Sequence, residues 1–406
     1  MAKHEVYHFH NGSGGGVLSV IRNILRYRQH PEIENHVIYT INKKNTPAFS
    51  VPILEGATSV QIFYYSPNWN FYHTCRLLAK LLPDDKAVIV AHDWLELGMV
   101  SMLGLQNPLV QVLHGDFEYY YNLAFLHKRN VDQFICVSPV IERKLSMIMP
   151  DERIAYLRYP VPEVDYLNTQ FKILKIAFFV RDLRDDRKQM KLLPKIETEL
   201  RKRSIFVEWY LAGSGMTKEQ LAQAWGDSYF ENVHFSGELN RKEIDQLLRT
   251  SNVIILPSLS EGYPVAVVEA MKYGLIPLVS YWEGAVADLV INGITGFSFQ
   301  TQDAVAYAER IQKLTNDASG MQQMSILSKK TAEDLFSPHV NTFKYENAFL
   351  STISRLKHKQ SFKSYGSSLD QHLVPNLFVT AVRSLLKYFK VLYNKQSTSS
   401  RCQLPH

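Results

Sequence analysis

The chain has 406 residues, 46% hydrophobic and 12% aromatic, too much chain for one compact core and enough apolar side chain for two. Charged residues make up 21% with both signs mixed, and 19 Gly and 17 Pro are ordinary counts, which excludes a disordered, collagen-like or disulfide-scaffold protein. The net charge of +6 belongs to the tail, where nine Lys/Arg after position 354 face one acid, Asp370. A nucleic-acid-binding core would carry its own basic stripe, so no nucleic-acid partner is expected.

Cys75, Cys136 and Cys402 are far apart and form no CxxC or Cys/His cluster, so neither a disulfide framework nor a zinc site is expected. A reducing, cytoplasmic compartment fits. The opening MAKHEVYHFHNG places His and Glu where a signal peptide needs an apolar core. No window approaches the roughly 18 apolar residues of a membrane span.

Short β-branched and aromatic runs at 6–10, 36–40, 60–64, 87–91, 109–113 and 133–137 predict strands with helices between them. The rhythm restarts after 168, with runs at 173–180, 206–212, 233–235, 253–256, 277–280 and 297–299. Such alternation implies parallel sheets, so the expected fold is α/β with two doubly wound, Rossmann-like domains. The segment RYPVPEVD at 158–165 carries two prolines that disfavour helix and suit an extended crossing. This divides the chain into a first domain over 1–165 and a second over 166–336. Helical stretches follow at 303–316, 321–336 and 339–356, and 337–356 is expected to return toward the first domain. The remainder, 357–406, reads as a polar linker over 357–370 and a basic amphipathic helix.

In that helix Val374, Phe378, Val382, Leu385, Phe389 and Leu392 oppose Asn376, Thr380, Arg383, Lys387, Lys390 and Asn394. Three readings stand. The apolar face packs on the second domain, or it meets an anionic membrane surface through residues 374–395, which makes the chain peripheral on the inner face of the cell membrane, or it meets a partner protein.

Open α/β sheets bind ligands beyond the carboxyl ends of their strands, so chemistry is sought there. The most specific stretch is EGYPVAVVEAMKYGLIPLV at 261–279, a loop and helix ending at Gly274 before the next strand. It leaves Glu261 in the loop, Glu269 on the helix, and the amides of Tyr263, Val265 and Ala266 free for an anion or sugar hydroxyls. If helical throughout, eight positions separate the two carboxylates by about 12 Å, beyond the roughly 5 to 9.5 Å of a glycosidase pair. Different tasks for the two acids follow.

That stretch resembles the Glu-x7-Glu signature of family 4 retaining glycosyltransferases of the GT-B fold. VHFSG at 233–237, with Gly237, resembles the element bordering the nucleobase; LAGSG at 211–215 resembles the Gly-x-Gly turn, and INGITG at 291–296 the Asp/Asn-Gly-x-x-Gly segment. The resemblance implies two Rossmann-like domains facing a cleft, with Glu269 accepting hydrogen bonds from the donor ribose. It implies that Glu261 holds a hydroxyl of the donor sugar and stabilises positive charge at its anomeric carbon.

The loop FFVRDLRDDRKQMK at 178–191 resembles the family's Gly-Arg-Leu-x(n)-Lys-Gly element, which implies Arg181 and Lys188 as diphosphate clamps. Val180 and Gln189 replace the two glycines, and the choice among Arg184, Arg187 and Lys188 stays open. The chain has no Asp-x-Asp motif, so cationic side chains replace a metal and no cofactor is obligatory.

In the first domain, FHNGSGGGV at 9–17 lies between a strand and an apolar helix, and Gly15 and Gly16 resemble the family's Gly-Gly beside the donor phosphate. His114, in LHGD at 113–116, is similarly implied as a catalytic contact. His92, Asp93 and Asp116 follow strand ends and are candidates for the acceptor, and Tyr119, Tyr120 and Tyr121 for a sugar platform. The expected activity is transfer of a sugar from a UDP- or GDP-sugar to a hydroxyl of a glycan or lipid-linked acceptor, with retention, in surface polysaccharide or glycolipid synthesis. The alternatives are a catalytically idle nucleotide-sugar-binding scaffold of the same fold and a sugar-nucleotide epimerase.

Overall fold

A computed structural model describes residues 3–12, 15–43, 51, 53–149, 152–167, 173–226, 231–281, 286–300, 303–354, 358–359, 361 and 367–399. Seven strands, β1 (His4–His10), β2 (Ile33–Asn42), β3 (Ser59–Tyr65), β4 (Val88–Ala91), β5 (Leu109–Leu113), β6 (Gln133–Cys136) and β7 (Ile154–Tyr156), form one sheet in the order β3-β2-β1-β4-β5-β6-β7. Six more, β8 (Leu174–Asp182), β9 (Val207–Ser214), β10 (Val233–Phe235), β11 (Val253–Leu256), β12 (Ile276–Ser280) and β13 (Phe297–Phe299), form a second in the order β10-β9-β8-β11-β12-β13. Neighbouring strands pair in parallel, as in β1 with β4 and β8 with β11.

Parallel strands covered on both faces must be apolar along their whole length. The tetrapeptides VIVA of β4 and VIIL of β11 are buried at every position. The edge strand β7 is three residues long and half-buried, too short for a recognisable apolar run, and the sequence reading did not include it.

The first domain's helices are α1 (Gly16–Arg26), α2 (Phe71–Ala79), α3 (Trp94–Leu103), α4 (Glu118–His127) and α5 (Pro139–Ile148). The second domain's are α6 (Leu193–Lys202), α7 (Lys218–Trp225), α8 (Arg241–Thr250), α9 (Val265–Lys272), α10 (Ala304–Asn316) and α11 (Ala318–Leu335). Caps fix several starts at strand ends: the Asp93 side chain accepts from the Trp94 amide at 2.9 Å while Glu96 reaches back to the His92 and Asp93 amides. Ser138 caps α5 ahead of Pro139.

Helix α12 (Pro338–Ile353) packs on the first domain, where Glu346 accepts from the amides of Gln29 and His30 at 2.9 and 3.0 Å. Asn341 donates to the Tyr159 carbonyl at 3.0 Å. Beyond it the chain is strapped to the same domain: Lys359, 3% exposed, pairs with Asp132 at 2.7 Å. The segment read as a polar linker is thus pinned where it is described.

The last helix, α13 (Asn376–Ser399), is docked through the face that the sequence reading gave to solvent. Asn376 accepts from the Asn70 amide at 2.7 Å, and Arg383 pairs with Asp370 at 2.7 Å and donates to the Trp69 carbonyl. The contact is with the first domain, so packing of the apolar stripe on the second domain is not what forms. The reason is polar pairing: Asp370 and Asn70 cap α2, are buried, and need partners that the polar stripe supplies. No described helix is long and apolar enough to cross a membrane.

Candidate active site

A cavity of about 560 Å³ opens between the two domains at the carboxyl ends of β8, β9 and β11. Arg181, Lys188, Glu261, Glu269 and the Tyr263-Pro-Val-Ala266 turn line the second-domain wall, and Gly15, Gly16 and Ser19 the opposite wall. The start of α1 therefore faces the cavity, bringing bare backbone at a positive dipole end. A Cβ on Gly15 would lie 3.6 Å from Arg181 Cδ, and one on Gly16 3.5 Å from Val265 Cγ2, so the walls meet across these two residues.

Gly262 makes the tightest crossing. A Cβ there would lie 2.0 Å from the His114 carbonyl oxygen of the other domain, so only glycine fits. This contact brings Glu261 to the cleft, where its carboxylate pairs with Lys188 at 2.5 Å. Glu269, 8% exposed, pairs with Arg241 of α8 at 2.8 Å. Pro264 stands just ahead of α9, and the Val265 amide is taken by the Tyr263 carbonyl at 2.9 Å. That amide is not free, contrary to expectation; the Tyr263 and Ala266 amides have no partner among the described residues.

The cationic loop sorts itself by ion pairs. Arg184 is held by Asp182 at 2.9 Å and Arg187 by Asp185 at 2.7 Å, and neither lines the cavity, whereas Arg181 and Lys188 both do. Gln189, where the family pattern has Gly, adopts a left-handed conformation with φ 54°. Its side chain steadies that turn by donating to the Asp186 carbonyl at 2.6 Å, against a strain of about 1–2 kcal/mol. The Leu259 amide donates to the Arg187 carbonyl at 2.8 Å, tying this loop to the one that carries Glu261.

His114 sits behind the cavity wall. Its Nε2 meets His92 Nδ1 at 2.7 Å and its Nδ1 meets the Tyr159 hydroxyl at 2.9 Å, so both ring nitrogens are engaged by protein. What His114 turns to the cleft is its backbone. His92 is 5% exposed, and Asp116 is held by Tyr121 at 2.7 Å and Lys144 at 2.6 Å. Asp93 is half-buried, bonded to Asn11 at 3.0 Å and to the Tyr119 hydroxyl, and does not line the cavity.

Four histidines lie together under this wall, and burial holds all of them neutral. Burial pushes His8 and His10 down to about 4 and His114 to about 3, and lowers His92 as well. Their folded values lie below the unfolded 6.5, so at pH 7 both states are mostly neutral and nearly full stability is present. As pH falls below 6.5 the unfolded chain takes up protons that the folded one refuses until about 4. For His8 and for His10 this costs roughly 2 kcal/mol at pH 5. The melting temperature is expected to drop between pH 7 and pH 5, and a flat profile by calorimetry would contradict the neutral cluster.

The sequence missed Tyr159, Arg241, Glu238, Leu239 and Asn11. Arg241 had a legible signal, because Asn240 and Glu243 form a capping box that starts α8 and aims its first residue at α9. Gly237 does not line the cavity, but its neighbours Glu238 and Leu239 do.

Residues 170–331 match the family model described as glycosyl transferases group 1. The amylovoran biosynthesis glycosyltransferase AmsK of Erwinia amylovora is 25% identical over 258 residues, 58% of this chain and 62% of that one. A Campylobacter jejuni N,N'-diacetylbacillosaminyl-diphospho-undecaprenol α-1,3-N-acetylgalactosaminyltransferase is 36% identical over 85 residues, 21% of this chain and 22% of that one. The chain thus spans less than two thirds of these curated relatives. Among solved structures, Anabaena HepE in complex with UDP and glucose superposes with TM-score 0.71 at 16% identity, covering 86% of this chain and 100% of that one. A sucrose-phosphate synthase from Thermosynechococcus elongatus gives 0.69 at 15% identity, covering 87% and 100%. The fold is GT-B: two Rossmann-like domains facing a cleft.

Proposed function

We propose, from the match of residues 170–331 to the group 1 glycosyltransferase model, that the chain moves a sugar from a nucleoside diphosphate donor to a hydroxyl acceptor. The observation that carries this reading is convergence: Arg181, Lys188, Glu261 and Glu269 line one cavity opposite the start of α1. Glu269 offers a two-oxygen acceptor to the ribose hydroxyls, and Arg181 and Lys188 offer cations to the diphosphate. As the anomeric bond breaks, negative charge grows on the leaving diphosphate and positive charge on the sugar ring. Lys188 and Glu261, already adjacent, face those two charges.

The donor is a UDP- or GDP-sugar, and HepE, which has the same fold, was solved with UDP-glucose. The acceptor is a lipid-linked glycan at the cytoplasmic face of a membrane. Support comes from two relatives whose names place undecaprenol diphosphate in the acceptor. Retention of configuration follows the family pattern around Glu261 and Glu269.

The test is a thermal-shift series with UDP, GDP, ADP and CMP in EDTA. One diphosphate is expected to raise the melting temperature selectively, and to the same extent with and without Mg²⁺. A shift that EDTA abolishes and Mg²⁺ restores would contradict the side-chain clamp.

A further inference from the structure

Because the root of α13 docks through Asn376 and Arg383 of its polar stripe, Phe378 and Leu385 of its apolar stripe face outward. Arg383, Asn376 and Val379 are turned inward, and Val379 is fully buried. On the opposite side Leu377, Phe378, Leu385 and Tyr388 are 86, 56, 56 and 62% exposed. Leu386 lies two turns after Val379 on the docked side, yet it is 60% exposed, so the helix has left the domain surface by then. Among the described residues this leaves Leu377, Phe378 and Leu385 as an uncovered apolar face on a helix that is held at its root.

Charge decides what covers it. After Asp370 the chain carries Arg383, Lys387, Lys390, Lys395 and Arg401 and no acid at all. Arg383 is neutralised by Asp370, so a second copy laid on this face would bring the other four cations against four, whereas an anionic lipid surface complements them. The helix cannot cross a membrane, so lying in the interface is the remaining geometry.

We propose that α13 docks the chain on an anionic bilayer through Leu377, Phe378 and Leu385, with Arg383 and Asp370 fixing its orientation on the first domain. The inference rests on the reading that the acceptor is lipid-linked, and supplies its surface contact. It also gives direction. The root of α13 lies over residues 67–71, just past the carboxyl end of β3, the end of the sheet at which Asp93 also stands. Between them is an aromatic cavity of about 310 Å³ walled by Tyr65, Trp69, Phe71 and Trp94. Docking through α13 therefore places the acceptor side of the cleft, and not the nucleotide side, next to the bilayer.

The experiment is sedimentation of the full chain with phosphatidylcholine vesicles, with and without about one third phosphatidylglycerol. Wild type is expected to pellet with the anionic vesicles and release in high salt. The triple variant Leu377→Gln, Phe378→Gln, Leu385→Gln is expected to bind them more than about tenfold more weakly, as is the pair Lys387→Glu, Lys390→Glu. Leu377, Phe378, Leu385 and Lys387 are exposed, and an unchanged nucleotide-induced thermal shift confirms that each variant is folded. Three results overturn the proposal: wild type left in the supernatant, a triple variant that binds as wild type does, or a wild-type dimer that the triple variant dissolves without vesicle binding. A nucleotide shift without vesicle binding sinks the docking alone. Vesicle binding without any nucleotide shift sinks the donor site alone.

Discussion

Glu269→Ala is expected to weaken nucleoside diphosphate binding by about a hundredfold. The carboxylate is buried on α9 at the cavity wall, and one oxygen already accepts from Arg241. A ribose presents two hydroxyl donors, and each hydrogen bond to a charged acceptor contributes about 1.5–3 kcal/mol. Losing one to two of them corresponds to about two decades in Kd. The Ala variant also leaves the Arg241 guanidinium without its carboxylate, which adds to the loss. Glu269→Gln retains an acceptor oxygen and is expected to lose only about tenfold. Isothermal titration with the nucleotide that stabilises wild type measures both; an unchanged affinity in the Ala variant would remove Glu269 from the ribose.

Lys188→Ala is expected to lower turnover by about 10²–10³ with a smaller change in donor affinity. Arg181 remains in the cavity of the variant, so ground-state binding of the diphosphate keeps one cation. What is lost is the charge beside Glu261, where the leaving group develops its negative charge as the bond breaks. Removing Lys188 also leaves Glu261, with an 11% exposed side chain, without its ion-pair partner. Lys188→Arg is not expected to restore activity, because a planar fork replaces a compact ammonium in a site fitted to the latter. Arg184→Ala and Arg187→Ala supply the contrast: their partners are Asp182 and Asp185, and they are expected to change turnover less than about threefold. Equal losses in all three single variants would show a diffuse basic loop.

The fold was legible because buried parallel strands write themselves as uninterrupted apolar runs. Twelve of the thirteen strands among the described residues overlap runs visible in the sequence, and the exception, β7, is a half-buried edge of three residues. The second-domain wall was legible because strand, loop and helix are contiguous there, so Glu261 and Glu269 take their places from local geometry. Arg181 and Lys188 could be named, but their separation from Arg184 and Arg187 depended on which aspartate each arginine chose.

The first-domain wall was much less legible. His114 is in place at the end of β5, but its ring is taken by Tyr159, 45 positions away, and His92, 22 positions away. No local pattern announces that pairing. The orientation of α13 stayed open for the same reason. Periodicity defines two faces and not which one docks, and the deciding partner, Asn70, lies about three hundred positions upstream.

The most direct test of the central claim is release of nucleoside diphosphate from the UDP- or GDP-sugar that the chain binds, measured with and without a membrane lipid extract as acceptor. Release that depends on the extract, survives EDTA and collapses in Lys188→Ala is the result predicted for a transferase. Tight nucleotide binding with no release under any of these conditions would contradict it and leave a binding protein built on the GT-B fold.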